Sequence, residues 1–363
     1  MDFSISTRQR ELLDRLDTFL DGCGFDRDYF LACETEKQPP RAFGQALARE
    51  LGPYFLPQAA GGEEADLLTL ALLTERLGQR GFPCGMLLNL LQARDMLALG
   101  TPEQQARVFA YLREQGGQCF SFGITDGPEK TMLSAGADGL VLNGHKAYVS
   151  NGLTAPFVMV LAREGEAEGA SLVLLPRDCP GMVWKPLGRS GLDGELVLED
   201  VRVASDARLG KPGEGMAQIA AHMELERFVL AAVCLGLARC AADEARAAVR
   251  AKAQKKPLGD GGLIQERLVE MELRLRTLAL LVYETAWKLD NGTAQKEDIP
   301  LLKLYAAREG FAVADMAMQL LGGKGFADTS RVFACWKELR GYRIGGGADE
   351  VMIRLAGKRL LGE

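Results

Sequence analysis

Carboxylates and glycines, more than histidines or thiols, are the residues whose spacing could do chemistry. Leu225-Glu226-Arg227 sets a carboxylate beside a cation and ahead of the apolar run Phe228-Val229-Leu230. Such a group reads as a general base, as a positional group without proton transfer, or as a solvated helix face with a surface ion pair worth about 0–1 kcal/mol. Glu224, two residues earlier, lies about 200° round a helix and is a poor substitute. Gly322-Gly323-Lys324-Gly325 and Gly345-Gly346-Gly347 let the backbone turn tightly and offer N–H groups to a ligand. An ordinary helix C-cap is the plainer reading of the first cluster. Only His145 and His222 occur, which excludes a histidine-rich metal centre, so no metal is expected and an acid–base catalyst should be a carboxylate. Cys23, Cys33, Cys84, Cys119, Cys179, Cys234, Cys240 and Cys335 are scattered without a CxxC pair, as buried thiols in a reducing compartment would be. No Gly-x-Ser-x-Gly, Walker A or Gly-x-Gly-x-x-Gly motif stands out.

The elements that must position these residues come from a chain of 363 residues, 47% hydrophobic and 25% charged, enough for two or three domains with a sizeable core. A net charge of -6 provides no general field for nucleic acid or anionic lipid. No apolar run reaches the roughly 18 residues that span a bilayer, and Met1–Gln9 is not a signal peptide, so the expectation is a cytoplasmic protein without a membrane span.

Periodicity divides the chain into residues 1–118, helical; 119–211, a small β domain; and 212–363, helical again. Ala65–Leu77 and Met86–Leu99 carry helical apolar spacing, and Gly100-Thr101-Pro102-Glu103 stops one helix and starts another. Leu140–Leu142, Asn143-Gly144 and Ala147–Ser150 read as two strands joined by a tight turn. Phe157–Ala162, Ser171–Leu175, Met182–Trp184 and Glu195–Leu198 are further short strands. Leu268, Met271, Leu275, Leu278 and Val282 form a narrow seam suited to an antiparallel bundle or a partner subunit, Asp298 and Pro300 start a helix, and Gly322-Gly323 ends it.

Seven motifs in order then resemble the acyl-CoA dehydrogenase family: Gly100-Thr101-Pro102-Glu103-Gln104-Gln105, Phe122-Gly123-Ile124-Thr125-Asp126, Leu142-Asn143-Gly144-His145-Lys146, Tyr148-Val149-Ser150-Asn151-Gly152, Leu225-Glu226-Arg227, Gln319-Leu320-Leu321-Gly322-Gly323-Lys324-Gly325-Phe326, and Ile344-Gly345-Gly346-Gly347-Ala348-Asp349-Glu350. The resemblance implies an α+β fold with an N-terminal helical bundle, a small β-barrel-like domain and a C-terminal four-helix bundle. It also implies FAD held between the β domain and the C-terminal bundle, and α,β-dehydrogenation of an acyl thioester to the 2,3-enoyl thioester, with the β hydrogen leaving as hydride to flavin N5. Many relatives place the base just before a glycine in the C-terminal loop, where this chain has Gly346. A subset that includes the isovaleryl-CoA type supplies it from the helix, here Glu226. A glycine opposite leaves room for that carboxylate and keeps a backbone N–H for the thioester oxygen. If the family geometry holds, the apolar residues after Glu226 would desolvate it and strengthen it as a base. Arg227 is then expected to order the pocket or meet polar groups of the substrate.

By the same resemblance Thr125, Tyr148 and Ser150 hold the flavin ring, Tyr148 and Ser150 standing for the more usual Trp and Thr; the alternative is that these two merely serve a strand end. Gln319, Gly322 and Gly323 receive the adenosine end of FAD from the neighbouring subunit, and Glu350 belongs to the cofactor-side C-terminal loop. Such a shared site makes the active protein a homodimer or homotetramer. Three departures stand out. Ile124–Met132 lacks the family's Gly-Ser-Asp, although Thr131 keeps a hydroxyl by the pyrophosphate and the substrate's pantetheine. Lys255 stands nearest the family's pyrophosphate arginine and lacks its fork. Ala348 replaces a common Thr. The carrier is therefore open between coenzyme A and an acyl-carrier protein, the latter acyl or aminoacyl in a biosynthetic pathway. Electrons would leave to an electron-transfer flavoprotein or a similar acceptor. An oxidase on the same scaffold and a non-catalytic protein with a decayed flavin site are the alternatives.

Overall fold

A computed structural model describes residues 5–58, 62–115, 119–137, 139–165, 169–188, 192–255 and 261–362. The elements run α1 (Thr7–Gly22), α2 (Arg27–Glu36), α3 (Arg41–Phe55), α4 (Leu67–Gln79), α5 (Gly85–Leu99) and α6 (Pro102–Gln115). They continue with β1 (Phe120–Gly123), β2 (Met132–Gly136), β3 (Gly139–Val149), β4 (Phe157–Glu164), β5 (Ala170–Pro176), β6 (Met182–Pro186), β7 (Gly194–Val203) and β8 (Arg208–Leu209). The chain closes with α7 (Gly215–Lys255), α8 (Gly262–Asp290), α9 (Asp298–Leu321), α10 (Arg331–Tyr342) and α11 (Asp349–Leu360). Helix starts follow local chemistry. Asp66 caps α4 by accepting the Thr69 N–H at 2.7 Å, and Thr101 and Gln104 cap α6 reciprocally.

The chain forms two compact units, each drawn from separate stretches: residues 1–28, 65–85 and 223–363 in one, residues 29–64 and 86–222 in the other. In the first, the α8 seam expected from sequence is buried at Met271, Leu275, Leu278 and Val282, and α8 packs on α9 and α4. Helices α4 and α7 cross closely: a Cβ on Gly236 would lie 2.4 Å from the Glu75 carbonyl oxygen. Glu75 itself is buried and takes Arg239 Nε at 2.6 Å and the Tyr283 hydroxyl at 2.5 Å.

In the second unit the strands run in the order β6-β7-β3-β2-β4-β5-β8, with β1 beside β4. Their inward faces meet in a core that includes Leu142, Val149, Val158, Val160, Val173, Leu175, Leu196 and Leu198. Asn143-Gly144 is not the turn that the sequence suggests. Both residues lie inside the 11-residue strand β3, at an irregularity in its pairing with β7. Gly144 has φ +145°, and a Cβ there would stand 2.5 Å from the Thr131 Cα, so close approach of backbone, and not chain reversal, demands the glycine. Asn143 instead pairs with Asp200: its amide donates to the Asp200 carboxylate at 3.0 Å and its oxygen accepts the Asp200 N–H at 2.7 Å.

Two of the motifs meet in this unit. The stretch after β1 lies antiparallel to β3, with the Gly127 N–H donating to the His145 carbonyl and the Ala147 N–H to that of Thr125. Lys146, 1% exposed, donates to the Asp126 carboxylate and the Leu161 carbonyl, both at 2.6 Å. Burial pushes the Asp126 carboxyl up, but the Lys146 ammonium and Thr131 outweigh it and hold it below its ordinary value. A carboxyl lowered in this way stabilises the fold above its unfolded pKa of about 4, and that stability is lost as the pH falls through the lower folded value. Lys146→Met should therefore cost about 2 kcal/mol at pH 7, less than a fully buried pair because Asp126 keeps some solvent. Urea titrations at pH 7 and below pH 4 (about the carboxylate range) should show the deficit shrinking in acid; an equal deficit at both would remove Asp126 from the account.

Candidate functional site

Glu226 lies in the fourth turn of α7, in the part that belongs to the first unit. The turn between α10 and α11 comes back to the same place. A Cβ on Gly346 would stand 3.8 Å from Glu226 Oε1, 3.8 Å from Lys303 Cε and 2.6 Å from Leu230 Cδ1. The carboxylate and the bare turn thus face each other, and Leu230, one helical turn after Glu226, leaves no room for a side chain on the turn. Gly346 and Gly347 have φ +66° and +107°, where only glycine is unstrained.

Two cations hold this turn. Arg227 Nε donates to the Gly346 carbonyl at 2.9 Å, and the Lys303 ammonium donates to the Gly347 carbonyl. Burial pushes Arg227 down from its ordinary value in spite of Glu226 and Glu224 nearby, and it pushes Lys303 down in spite of Cys234, Asp349 and Glu226. Asp349 closes the turn: its N–H donates to the Arg343 carbonyl at 3.1 Å, and its carboxylate takes Arg343 and Arg308. Burial raises the Asp349 carboxyl, but the two guanidiniums hold it below the usual range. Glu224 is half exposed and lies 3.5 Å from Arg359.

The first unit also brings together Gln319, Gly322 and Gly323, all exposed at the end of α9, where Gly322 has φ +65° and the Gly325 N–H donates back to its carbonyl. Glu350 is exposed in the first turn of α11. The side chain of Lys255 lies outside the described residues, as do residues 256–260.

In the second unit Thr125, Tyr148 and Ser150 are all exposed, and the ladder from Thr125 to Ala147 sets them near one another at one end of β3. The Tyr148 hydroxyl donates to Asp193 at 3.1 Å, and the Asn151 N–H donates to the same carboxylate at 3.0 Å. Burial of part of the ring, then Asp193, raises the phenol. Thr131 stands apart from this group. It is fully buried beneath Gly144, with its N–H 3.3 Å from Asp126.

Sequence reasoning missed Lys303 and Asp193, and it placed Leu230 only in the apolar run after Glu226, not against Gly346. For Lys303 a signal was present: it falls on the apolar stripe Ile299, Lys303, Ala306, Gly310 at helical spacing, where a cation demands an explanation. Among the described residues no helix is long and apolar enough to cross a membrane.

Comparison with known proteins bears on this arrangement. Residues 125–201 match the acyl-CoA dehydrogenase middle domain and residues 213–361 the acyl-CoA dehydrogenase C-terminal domain. The probable acyl-CoA dehydrogenase YdiO of Escherichia coli is 30% identical over 378 residues, covering 99% of this chain and 98% of that protein. Among solved structures, an acyl-CoA dehydrogenase from Slackia heliotrinireducens superposes with TM-score 0.88 at 26% identity, over 100% of this chain and 98% of its own. PigA with FAD and proline superposes with TM-score 0.85 at 21% identity, over 100% and 99%. With two family domains matched in order and a relative alike over almost its whole length, the chain belongs to the acyl-CoA dehydrogenase family, a family of oxidoreductase enzymes.

Proposed function

We propose that the protein is an FAD-dependent dehydrogenase of acyl thioesters whose base is Glu226, the placement of the isovaleryl-CoA type. The observation that carries this reading is the juxtaposition of Glu226 Oε1 with a turn that has no side chain at position 346. An α-proton of a thioester becomes removable when a carboxylate reaches it while donors hold the carbonyl oxygen, where negative charge develops. Glu226 takes the proton. The Gly346 N–H, for which no backbone acceptor is found among the described residues, donates to the thioester oxygen. Arg227 keeps the turn in register through the Gly346 carbonyl.

The donor set fits a flavin. Two hydroxyls and an aromatic face, Thr125, Ser150 and Tyr148, lie exposed at one end of a strand, which suits a flat heterocycle with polar edges. Gln319, Gly322 and Gly323 would take the adenosine end across a homo-oligomer. Thr131, buried beneath β3, is not open to the pyrophosphate or to pantetheine in this arrangement. FAD supplies, when bound, an acceptor for the β hydrogen as hydride. Family membership supports coenzyme A as the carrier and a flavoprotein as the electron acceptor.

An anaerobic spectrum of the purified protein, titrated with acyl-CoA thioesters of increasing chain length and with acyl-carrier-protein thioesters, tests the reading. A yellow protein whose visible flavin band bleaches with one of these is expected. A colourless protein that gains no flavin spectrum from added FAD would sink it. Bleaching by carrier-protein thioesters alone would move the substrate class but keep the reaction.

A further inference from the structure

Lys303 is 1% exposed in the first unit and has no part in the proton transfer just described. Its place on α9 is a core position, between Ile299 and Ala306 on the buried stripe, and its ammonium ends on the Gly347 carbonyl. The preceding carbonyl, that of Gly346, takes Arg227 at 2.9 Å. Two successive peptide oxygens are thus gripped by cations from two different helices. Because a trans peptide is planar, holding these two oxygens fixes the peptide planes on either side of Gly347, and with them the direction in which the chain leaves Gly346. The turn needs such a hold. Gly346 and Gly347 have no side chains to pack, and glycines lose more conformational freedom on ordering than any other residue. A hydrocarbon at position 303 would suit the stripe better, but it could not bind the turn; an ammonium at such depth is costly unless it is well satisfied.

We propose that Lys303 is a positioning residue: through the Gly347 carbonyl it holds the Gly345–Gly347 turn in place opposite Glu226. The kinetic consequence rests on the reading of Glu226 as the base; the anchoring of the turn does not. The charged and titratable groups around the ammonium are Glu226, Arg227 and Cys234 from α7 and Asp349 from α11. Asp349 is already engaged by Arg343 and Arg308, and the hydrogen bond of Lys303 goes to the Gly347 carbonyl.

Lys303→Met keeps the unbranched stem, one atom shorter, and removes both the charge and the donor. Hydrogen exchange at the two hydrogen-bonded amides that bracket the turn, Gly345 (to the Gly341 carbonyl) and Asp349 (to the Arg343 carbonyl), should quicken by about tenfold or more, the loss expected for a charge-assisted hydrogen bond, while α8 and the rest of α9 keep their protection. Flavin reduction by the best thioester of the panel should slow by roughly 10- to 100-fold, with its half-saturating concentration changed by less than about threefold, as misplacement of a reacting geometry produces. In Lys303→Ala, added ethylammonium should restore protection and rate, and ethanol at the same concentration should not. Exchange at Gly345 and Asp349 unchanged in a folded Lys303→Met protein would overturn the proposal. If Lys303→Met does not fold, the alanine variant decides: protection regained with ethylammonium supports the anchor, and equal response to ethanol overturns it. A wild-type protein that no thioester reduces would remove the proposed reaction, while the exchange result would still decide the role of Lys303.

Discussion

Glu226→Gln should leave FAD content and thermal midpoint as they are and slow thioester-driven flavin reduction by about 1,000-fold or more. The amide is nearly the size and shape of the carboxylate, so packing beside Leu230 is kept; what is lost is the ability to take a proton, for which general-base contributions of about 100- to 10,000-fold are usual. Neither position 346 nor Glu224 can replace it. Position 346 is glycine, and Glu224 points elsewhere, to Arg359. Glu224→Gln is therefore the matched control and should keep its rate within about threefold, since it removes only an exposed ion pair. Stopped-flow reduction under anaerobic conditions reads both. A Glu226→Gln protein reduced within threefold of the parent's rate (about 0.7 kcal/mol of barrier) would take Glu226 out of the reaction.

Gly346→Val should damage both stability and rate, and by more than a surface turn would. A φ of +66° costs a β-branched residue about 1–2 kcal/mol or more. The new Cβ also meets Leu230 Cδ1 at 2.6 Å, and overpacking of this kind costs about 1–3 kcal/mol. Together about 3 kcal/mol of stability should go, read from urea unfolding. Relief is expected from Leu230→Ala in the same chain, which removes the collision but not the backbone strain, so the double variant should regain part of the loss. Strict additivity of the two changes would mean that Leu230 does not yield the contact described.

The order of helices, strands and helices was legible because hydrophobic period changes from 3.6 to 2 and back along the chain, and the α8 seam shows it most cleanly: Met271, Leu275, Leu278 and Val282 are buried as their spacing requires. Asn143-Gly144 misled because the same dipeptide that makes a tight turn also suits a strand irregularity, and only the nearness of Thr131 decides between them. Glu226 and Gly346 were legible as motif positions. Their partners were not. The Arg227 bond to Gly346 spans 119 positions and the Lys303 bond to Gly347 spans 44, distances over which local pattern carries no information. The grouping of α1 and α4 with the C-terminal helices has the same origin: close crossings such as Gly236 on Glu75 depend on chain segments far apart in sequence.

Carrying the carboxylate on α7 has a mechanical result. The backbone under Glu226 is tied into a helix of 41 residues, so its aim changes only through rotation about its own side-chain bonds, a matter of picoseconds to nanoseconds. A carboxylate mounted on the opposing turn would travel with every backbone excursion of that turn, on slower and wider swings. Here the turn opposite is bare peptide pinned by Arg227 and Lys303, and the group with reach rides on a helix.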